Sequence, residues 1–172
     1  MLHQFTSFCQ IDGRKLMDVY RESNTENIDY FYPGQPRTDG LREKIEANFL
    51  HFIETDFLTK PGNSYWVLEE DGVWVSALRL YTVQDRFFYM EALETRPDAR
   101  RRGYAAKLMG GVMEALKQGG PFRLCDSVHK TNEASLNAHR KCGFVIASDA
   151  AVDYLTGTVN EREFGMELVF EG

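Results

Sequence analysis

The sequence predicts an α/β fold of the α+β kind, in which a mixed sheet is covered by helices. In several segments apolar residues recur every three or four positions, and short apolar runs bounded by turn residues lie between them. No repeat, low-complexity segment or linker interrupts the 172 residues. We therefore expect a single domain over residues 1–172, which is long enough to bury a core.

The N-terminal part is predicted to hold one strand and two helices. A loose alternation of apolar residues over Leu2–Phe8 predicts the strand. Asp12 is a favourable N-cap for a helix that ends near Glu22. After a loop over residues 27–40, apolar residues at helical spacing predict a second helix over residues 41–58.

The middle of the chain is predicted to be a meander of three strands, over Tyr65–Glu69, Val73–Thr82 and Phe87–Thr95. The first two flank an Asp-Gly pair at residues 71–72, which is a strong hairpin signal. A polar turn at residues 84–86 separates the second strand from the third.

The C-terminal part alternates helices and strands. Helical spacing predicts helices over Gly103–Lys117 and Glu133–Cys142, which brings the total to about four. Strands are predicted over Phe122–Val128, Phe144–Ser148 and Glu163–Phe170.

Composition and charge exclude several classes of function. The net charge of −6 and the pI of about 5.3 argue against a general nucleic-acid or anionic-membrane binder. No signal peptide and no apolar stretch long enough to span a bilayer are visible, so we expect a cytoplasmic protein. Cys9, Cys125 and Cys142 lack metal-ligand spacing, and no metal site or disulfide framework is expected.

A basic turn between a strand and a helix is the first candidate site. It reads Arg100-Arg101-Arg102-Gly103-Tyr104-Ala105, and the helix is predicted to begin at the glycine. The free N–H groups and the dipole of a helix N-terminus attract anions, and small residues at 103 and 105 let a phosphate approach the backbone. The alternative is that the arginines form a solvated charge run.

Two segments resemble the GNAT superfamily of N-acetyltransferases. Arg100, Gly103 and Ala105 occupy the fixed positions of its Gln/Arg-x-x-Gly-x-Gly/Ala motif. Farther on, the segment over 132–144 (NEASLNAHRKCGF) is similar to the family's Asn…Ala…Tyr-x-Lys-x-Gly-Phe block. The resemblance implies a GNAT-like domain with a mostly antiparallel sheet, whose fourth and fifth strands splay apart.

The resemblance also implies a site for acetyl-CoA as cosubstrate. The pantetheine arm would lie in the gap between the two splayed strands, and the turn would hold the pyrophosphate. Asn132 matches an asparagine that contacts the cofactor arm in the family, although it is also a good N-cap for the following helix. The residues expected at the cofactor are Leu93, Thr95, Arg100, Arg101, Arg102, Gly103, Tyr104, Ala105 and Asn132.

For catalysis, the resemblance points to Glu91 as the base and to His139 as the acid. His139 stands where the family most often has a tyrosine, and Tyr81, Tyr89 and Tyr154 are alternative proton donors. Glu94 competes with Glu91, because in a regular strand only one of them faces the cleft. A bulge, which the family often has here, would change that parity.

The predicted function is transfer of an acetyl group from acetyl-CoA to a primary amine of a small molecule or peptide, directly within a ternary complex. The alternative is a non-catalytic GNAT-like module that binds acyl-CoA. Aromatic residues in the loop over 27–40 and in the helix after it form either an acceptor wall or ordinary packing. No nucleic-acid or membrane partner is expected, and a homodimer is left open.

Overall fold

A computed structural model describes all 172 residues, which form nine strands and five α-helices. The helices are α1 Gly13–Glu26, α2 Ile28–Phe31, α3 Asp39–Thr55, α4 Tyr104–Lys117 and α5 Glu133–Lys141. The strands are β1 Leu2–Phe5, β2 Ser64–Glu70, β3 Val73–Gln84, β4 Phe87–Thr95, β5 Phe122–His129, β6 Val145–Ser148, β7 Ala151–Val152, β8 Val159–Asn160 and β9 Glu163–Phe170. None of the helices combines the length and the apolar character needed to cross a membrane.

Seven strands form one sheet in the order β1-β2-β3-β4-β5-β9-β6, while β7 and β8 form a separate small hairpin. Only the β4–β5 pair is parallel, and every other neighbouring pair in the large sheet is antiparallel. The α/β class with a mixed, mostly antiparallel sheet is therefore confirmed.

Helices cover both faces of the sheet, as the side-chain alternation along β3 requires. Leu78 and Leu80 belong to an apolar cluster with α4 and α5. Ala77 and Tyr81 belong to a second cluster with α1 and α3. The sheet thus separates two cores, and the two faces can carry different parts of a site.

The strands β4 and β5 separate after a short paired stretch. They pair only where residues 87–89 meet residues 123–125, and the last pair is Tyr89 with Cys125. Farther along, β4 runs on to Thr95 and β5 to His129 without a shared ladder. The predicted splay between the fourth and fifth strands is confirmed, and the gap is called the split below.

Two N-terminal predictions differ from the structure in the kind of element, and the helix ends also differ, since α1 continues to Glu26 and α3 spans Asp39–Thr55. The first strand ends at Phe5, because the side-chain oxygen of Gln10 accepts the N–H groups of Thr6 and Ser7 and turns the chain into a short 3-10 helix. The predicted loop over 27–40 contains α2, a single turn anchored by the fully buried Ile28. The helices therefore number five.

The β7–β8 hairpin was not predicted. Each of its strands has two residues, which is too short for a periodic pattern. The side chain of Asp153 accepts the N–H groups of Leu155 and Thr156 and so shapes the turn between the strands.

Candidate active site

A β-bulge interrupts β4 at Ala92, whose φ of 52° lies in the left-handed region. On either side of it, Glu94 pairs with Ala77 and Glu91 pairs with Arg79, so β4 has one residue more than β3 here. Directly opposed residues in an antiparallel pair place their side chains on the same face. Glu91 and Glu94 therefore both lie on the α1/α3 face, where a regular strand would separate them.

Glu91 is paired with Arg79, whose Nη2 donates to Oε2 at 3.2 Å. The Arg79 guanidinium also packs against Phe49 and Phe52, with ring centroids 5.4 and 5.1 Å from Cζ. Burial raises the pKa of Glu91, and the charge of Arg79 offsets this only in part. The carboxylate is thus a better proton acceptor than an exposed glutamate.

Glu94 is held by Arg100, the first arginine of the basic turn. Arg100 Nη2 lies 3.2 Å from Glu94 Oε1, and Nε donates to the Thr95 carbonyl at 3.1 Å. The same guanidinium forms an ion pair with Glu22 of α1. Burial raises the pKa of Glu94 against the effect of Arg100. The Arg100 side chain, predicted at the cofactor, is here engaged by β4 and α1.

The start of α4 presents a row of unpaired backbone donors. The N–H groups of the six residues from Arg101 to Ala106 donate to no other group of the protein. Lys107 is the first with a partner, the carbonyl of Gly103 at 2.9 Å, while the N–H of Arg100 donates to Pro97. These free donors coincide with the positive end of the helix dipole. Together they make this turn a candidate anion site.

The backbone of the turn from Arg100 to Ala105 includes two residues in the left-handed region. Arg101 and Gly103 have φ values of 63° and 81°, and such alternation directs successive N–H groups to one concave side. A Cβ at Gly103 would meet no atom within 4 Å, so the glycine is required for its backbone conformation. Arg101 and Arg102 are exposed, which leaves their charges near the row of donors.

The edge of β4 that faces the split begins after Tyr89. By strand alternation, the backbone groups of Leu93 and Thr95 lie at this edge. The N–H of Thr95 donates to Glu94 Oε1 at 3.3 Å, and its carbonyl accepts from Arg100. The Leu93 side chain packs into the α4/α5 core. The split edge therefore carries backbone groups at the two predicted positions.

A cavity of about 600 Å³ lies on the α1/α3 face and reaches the bulge. Ala92, Leu93 and Glu94 form its β4 wall, and Arg79 of β3 also lines it. Glu91 lies next to this wall, behind its partner Arg79, and does not line the cavity. The bulge thus brings one carboxylate into the cavity and a second beside it.

His139 is buried in α5, with 1% of its surface exposed. Its Nε2 lies 2.7 Å from Oδ2 of Asp126 in β5, and its Nδ1 lies 2.8 Å from the Ser135 carbonyl oxygen. Burial lowers the pKa of His139, but the hydrogen bond and charge of Asp126 outweigh it, and the net pKa is raised. Both nitrogens are engaged, so the imidazole is a buried partner of Asp126 and not an exposed group at the split.

Among the alternative proton donors, Tyr89 lies closest to the start of the split. Its hydroxyl is 3.1 Å from Ser127 Oγ of β5, so this contact bridges the two strands just beyond their last pair. Burial raises the pKa of Tyr89, which keeps the hydroxyl protonated at neutral pH. Tyr81 is buried in the α1/α3 core, and Tyr154 accepts a hydrogen bond from Arg123.

Asn132 caps α5, with Oδ1 accepting the Ser135 N–H at 3.1 Å. The capping interpretation is therefore confirmed, and contact with a cofactor stays a prediction. No group of three or more His, Cys, Asp or Glu side chains is arranged to hold a metal ion.

The free donors at the start of α4, the split beyond residue 89 and the cavity at the bulge all involve β4 or the turn that follows it. A family model described as the acetyltransferase (GNAT) family matches residues 16–144. The chain belongs to the GNAT acetyltransferase family. The predicted family is thus confirmed, and both sequence segments that resembled it lie within the matched residues. Among proteins of curated function, none matches the chain in sequence.

Solved structures share the fold of this GNAT chain. The PaiA N-acetyltransferase from Thermoplasma acidophilum, in complex with coenzyme A, has a TM-score of 0.67 at 17% identity, with 99% of each chain covered. A ribosomal-protein-alanine N-acetyltransferase from Brucella melitensis has a TM-score of 0.64 at 15% identity, again with 99% of each covered. A spermidine N-acetyltransferase from Vibrio cholerae, in complex with CoA and spermine, has a TM-score of 0.62 at 14% identity. The match covers 98% of this chain and 94% of that one.

Three residues of the site were not singled out from the sequence. Arg79 is the only charged residue of β3, and Asp126 follows the apolar pair Leu124-Cys125 in β5. A charged residue inside an apolar strand was an available signal, since such residues are buried only when paired. Tyr20 of α1 lines the cavity and contacts the bulge, but in the sequence it is one of several apolar residues of a helix.

Proposed function

We propose that this GNAT protein transfers an acetyl group from acetyl-CoA to a primary amine of a small molecule or peptide, directly within a ternary complex. The observation that carries the proposal is the row of free N–H groups from Arg101 to Ala106, which lies beside the split. When bound, acetyl-CoA would supply the acetyl thioester. The cavity at the bulge would receive the acceptor.

The cofactor site is proposed from groups that fit its chemistry. The N–H groups from Arg101 to Ala105 would bind the pyrophosphate, supported by the exposed Arg101 and Arg102 side chains. Backbone groups of Leu93 would pair with a pantetheine amide as an added strand does. Thr95 would join them after exchanging its side-chain partners, and Asn132 lies at the start of α5 on the far side of the split.

The two glutamates have different proposed roles. Glu94 lines the cavity and would attract the ammonium group of the acceptor. Burial raises the pKa of Glu91. Its carboxylate would accept, through a water molecule, the proton that the attacking amine must lose. The C–N bond forms as the C–S bond breaks.

The departing thiolate needs a proton, and we propose Tyr89 as its source. Its hydroxyl lies at the start of the split on the acceptor face, whereas His139 has both nitrogens engaged. In this proposal His139 is a positioning residue that holds Asp126, and through it the middle of β5.

The experiment combines two measurements on the purified protein. Binding of CoA is followed by calorimetry, and turnover of acetyl-CoA with a panel of amines is followed as free thiol release. We expect both binding and amine-dependent turnover. Tight CoA binding without turnover on any amine would instead favour the non-catalytic acyl-CoA-binding module.

A further inference from the structure

The cavity at the bulge has walls that restrict its occupant. Most of the lining is apolar or aromatic, and it comes from α1, α2, α3 and the segment that follows α2. The rings and the aliphatic side chain that contribute are Tyr20, Phe31, Tyr32, Ile45, Phe49 and Phe52. Phe31 is 58% exposed and lies at the solvent side of this lining. The walls therefore suit a flat apolar body.

The ion-paired groups at the β4 wall of the cavity carry a single negative charge in excess. Arg79 and Glu91 form a neutral pair on one side. On the other side, Arg100 is shared by Glu94 and Glu22, so two carboxylates face one guanidinium. Of this second group, only Glu94 lines the cavity. One ammonium group beside Glu94 would balance the site.

The remaining polar groups of the cavity are uncharged. The side-chain amides of Asn27 and Asn48 make no hydrogen bond with another group of the protein. Ser23 and Asn24 add a hydroxyl and an amide to the same wall. The Ser23 hydroxyl donates to the Tyr20 carbonyl and the Asn24 amide donates to Met17 Sδ. The amides of Asn27 and Asn48 are therefore the groups free to bind a ligand through neutral hydrogen bonds.

We infer that the acceptor is a primary monoamine, with one positive charge on an aromatic or otherwise flat apolar body that carries uncharged polar substituents. This inference rests on the proposed function and names the substrate class of the same site. A polyamine would place a second ammonium group near the positive charge of Arg79. An amino acid would bring its carboxylate next to Glu94 and Glu91.

The test compares acceptors that differ in one property. Tyramine supplies the ring and one ammonium group, tyrosine adds a carboxylate, spermidine replaces the ring with further ammonium groups, and a lysine-containing peptide presents the amine on a chain. We expect kcat/KM for tyramine to exceed that for each of the others by at least about tenfold. Equal or higher values for tyrosine, spermidine or the peptide would overturn the inference.

A variant pair tests the role given to Glu94. Glu94→Gln should raise KM for tyramine several-fold, with a smaller change in the Kd for CoA, because Glu94 also contacts the Thr95 N–H. Glu43→Gln removes the same charge from an exposed position of α3 outside the cavity, and should change neither quantity. An unchanged KM in Glu94→Gln would contradict the placement of the ammonium group.

Different results would overturn the substrate class and the acetyl-transfer activity. Turnover that prefers spermidine or the peptide would overturn the substrate class and leave acetyl transfer intact. CoA binding without turnover on any amine would overturn the proposed function and the substrate class with it.

Discussion

The hydroxyl of Tyr20 in α1 donates a 2.6 Å hydrogen bond to the carbonyl of Ala92, the residue that forms the bulge in β4. Tyr20 in turn accepts a 2.8 Å hydrogen bond from the hydroxyl of Tyr65 in β2. An alanine at φ 52° costs roughly 1–2 kcal/mol and persists only when its surroundings hold it there. Helix α1 thus stabilises the bulge that places Glu91 and Glu94 on one face.

Tyr20→Phe should weaken the bulge while leaving the ring packing in place. We expect a loss of about 1 kcal/mol in the free energy of unfolding and a roughly tenfold lower kcat. Tyr65→Phe is the control, because it keeps the bond from Tyr20 to Ala92. If both variants lower kcat equally, the bond to Ala92 has no special role.

Gly103→Glu should abolish CoA binding for two reasons. The backbone φ of 81° at residue 103 disfavours any side chain, and the carboxylate would place a negative charge at the row of N–H groups. Gly157→Glu is the matched control: its φ is 75° and its surroundings are also open, but it lies in the β7–β8 turn. Calorimetric titration gives the Kd for CoA of both variants. Undiminished binding in Gly103→Glu would refute the phosphate assignment.

Glu91→Gln should lower kcat by about 10²-fold or more, with little change in Kd for CoA. In the unsubstituted protein the base must be ionised, so the rate should fall as pH falls through the raised pKa of Glu91. Arg79→Gln removes the positive charge that lowers this pKa, and should move the acidic limb of the profile to higher pH. A limb that stays in place in both variants would remove Glu91 as the base.

Tyr89→Phe should lower kcat by roughly tenfold to a hundredfold, since the thiolate loses its proposed proton donor. Tyr154→Phe removes a hydroxyl from the ring packed against Tyr89, with centroids 5.7 Å apart, and should have a small effect. Single-turnover measurements separate this step from product release. Equal rates in the two variants would exclude Tyr89 as the donor.

The pair of His139 and Asp126 should make stability depend on pH. The folded pKa of His139 is raised, so its stabilisation is complete below the unfolded pKa of about 6.5 and is lost as pH rises through the folded value. Thermal unfolding between pH 6 and 9 should therefore show Tm falling with pH.

In Asp126→Asn this dependence should be reduced and Tm at pH 6 should be lower by about 5–10 °C, because one partner of a buried pair is lost. His129→Gln, at an exposed position, is the control. An identical pH dependence in Asp126→Asn would show that the pair does not titrate.

Local patterns were sufficient for much of the fold. The helices α1, α3 and α4 and the strands β2 to β5 follow from apolar periodicity, turn residues and caps, all of which act within a few residues. The free N–H groups at the start of α4 could also be predicted locally, because the first N–H groups of any helix lack partners within it.

Only the tertiary structure decided how the side chains of the site are arranged. Ala92 takes a left-handed conformation because Tyr20, 72 residues away, bonds its carbonyl, and this places two glutamates on one face. His139 turns towards Asp126 because a buried carboxylate requires a partner. The sequence by itself determined most of the elements and the helix start with its free N–H groups, which depend on short-range backbone chemistry. The cavity and the orientation of its charges depend on contacts between distant residues, and no local pattern records them.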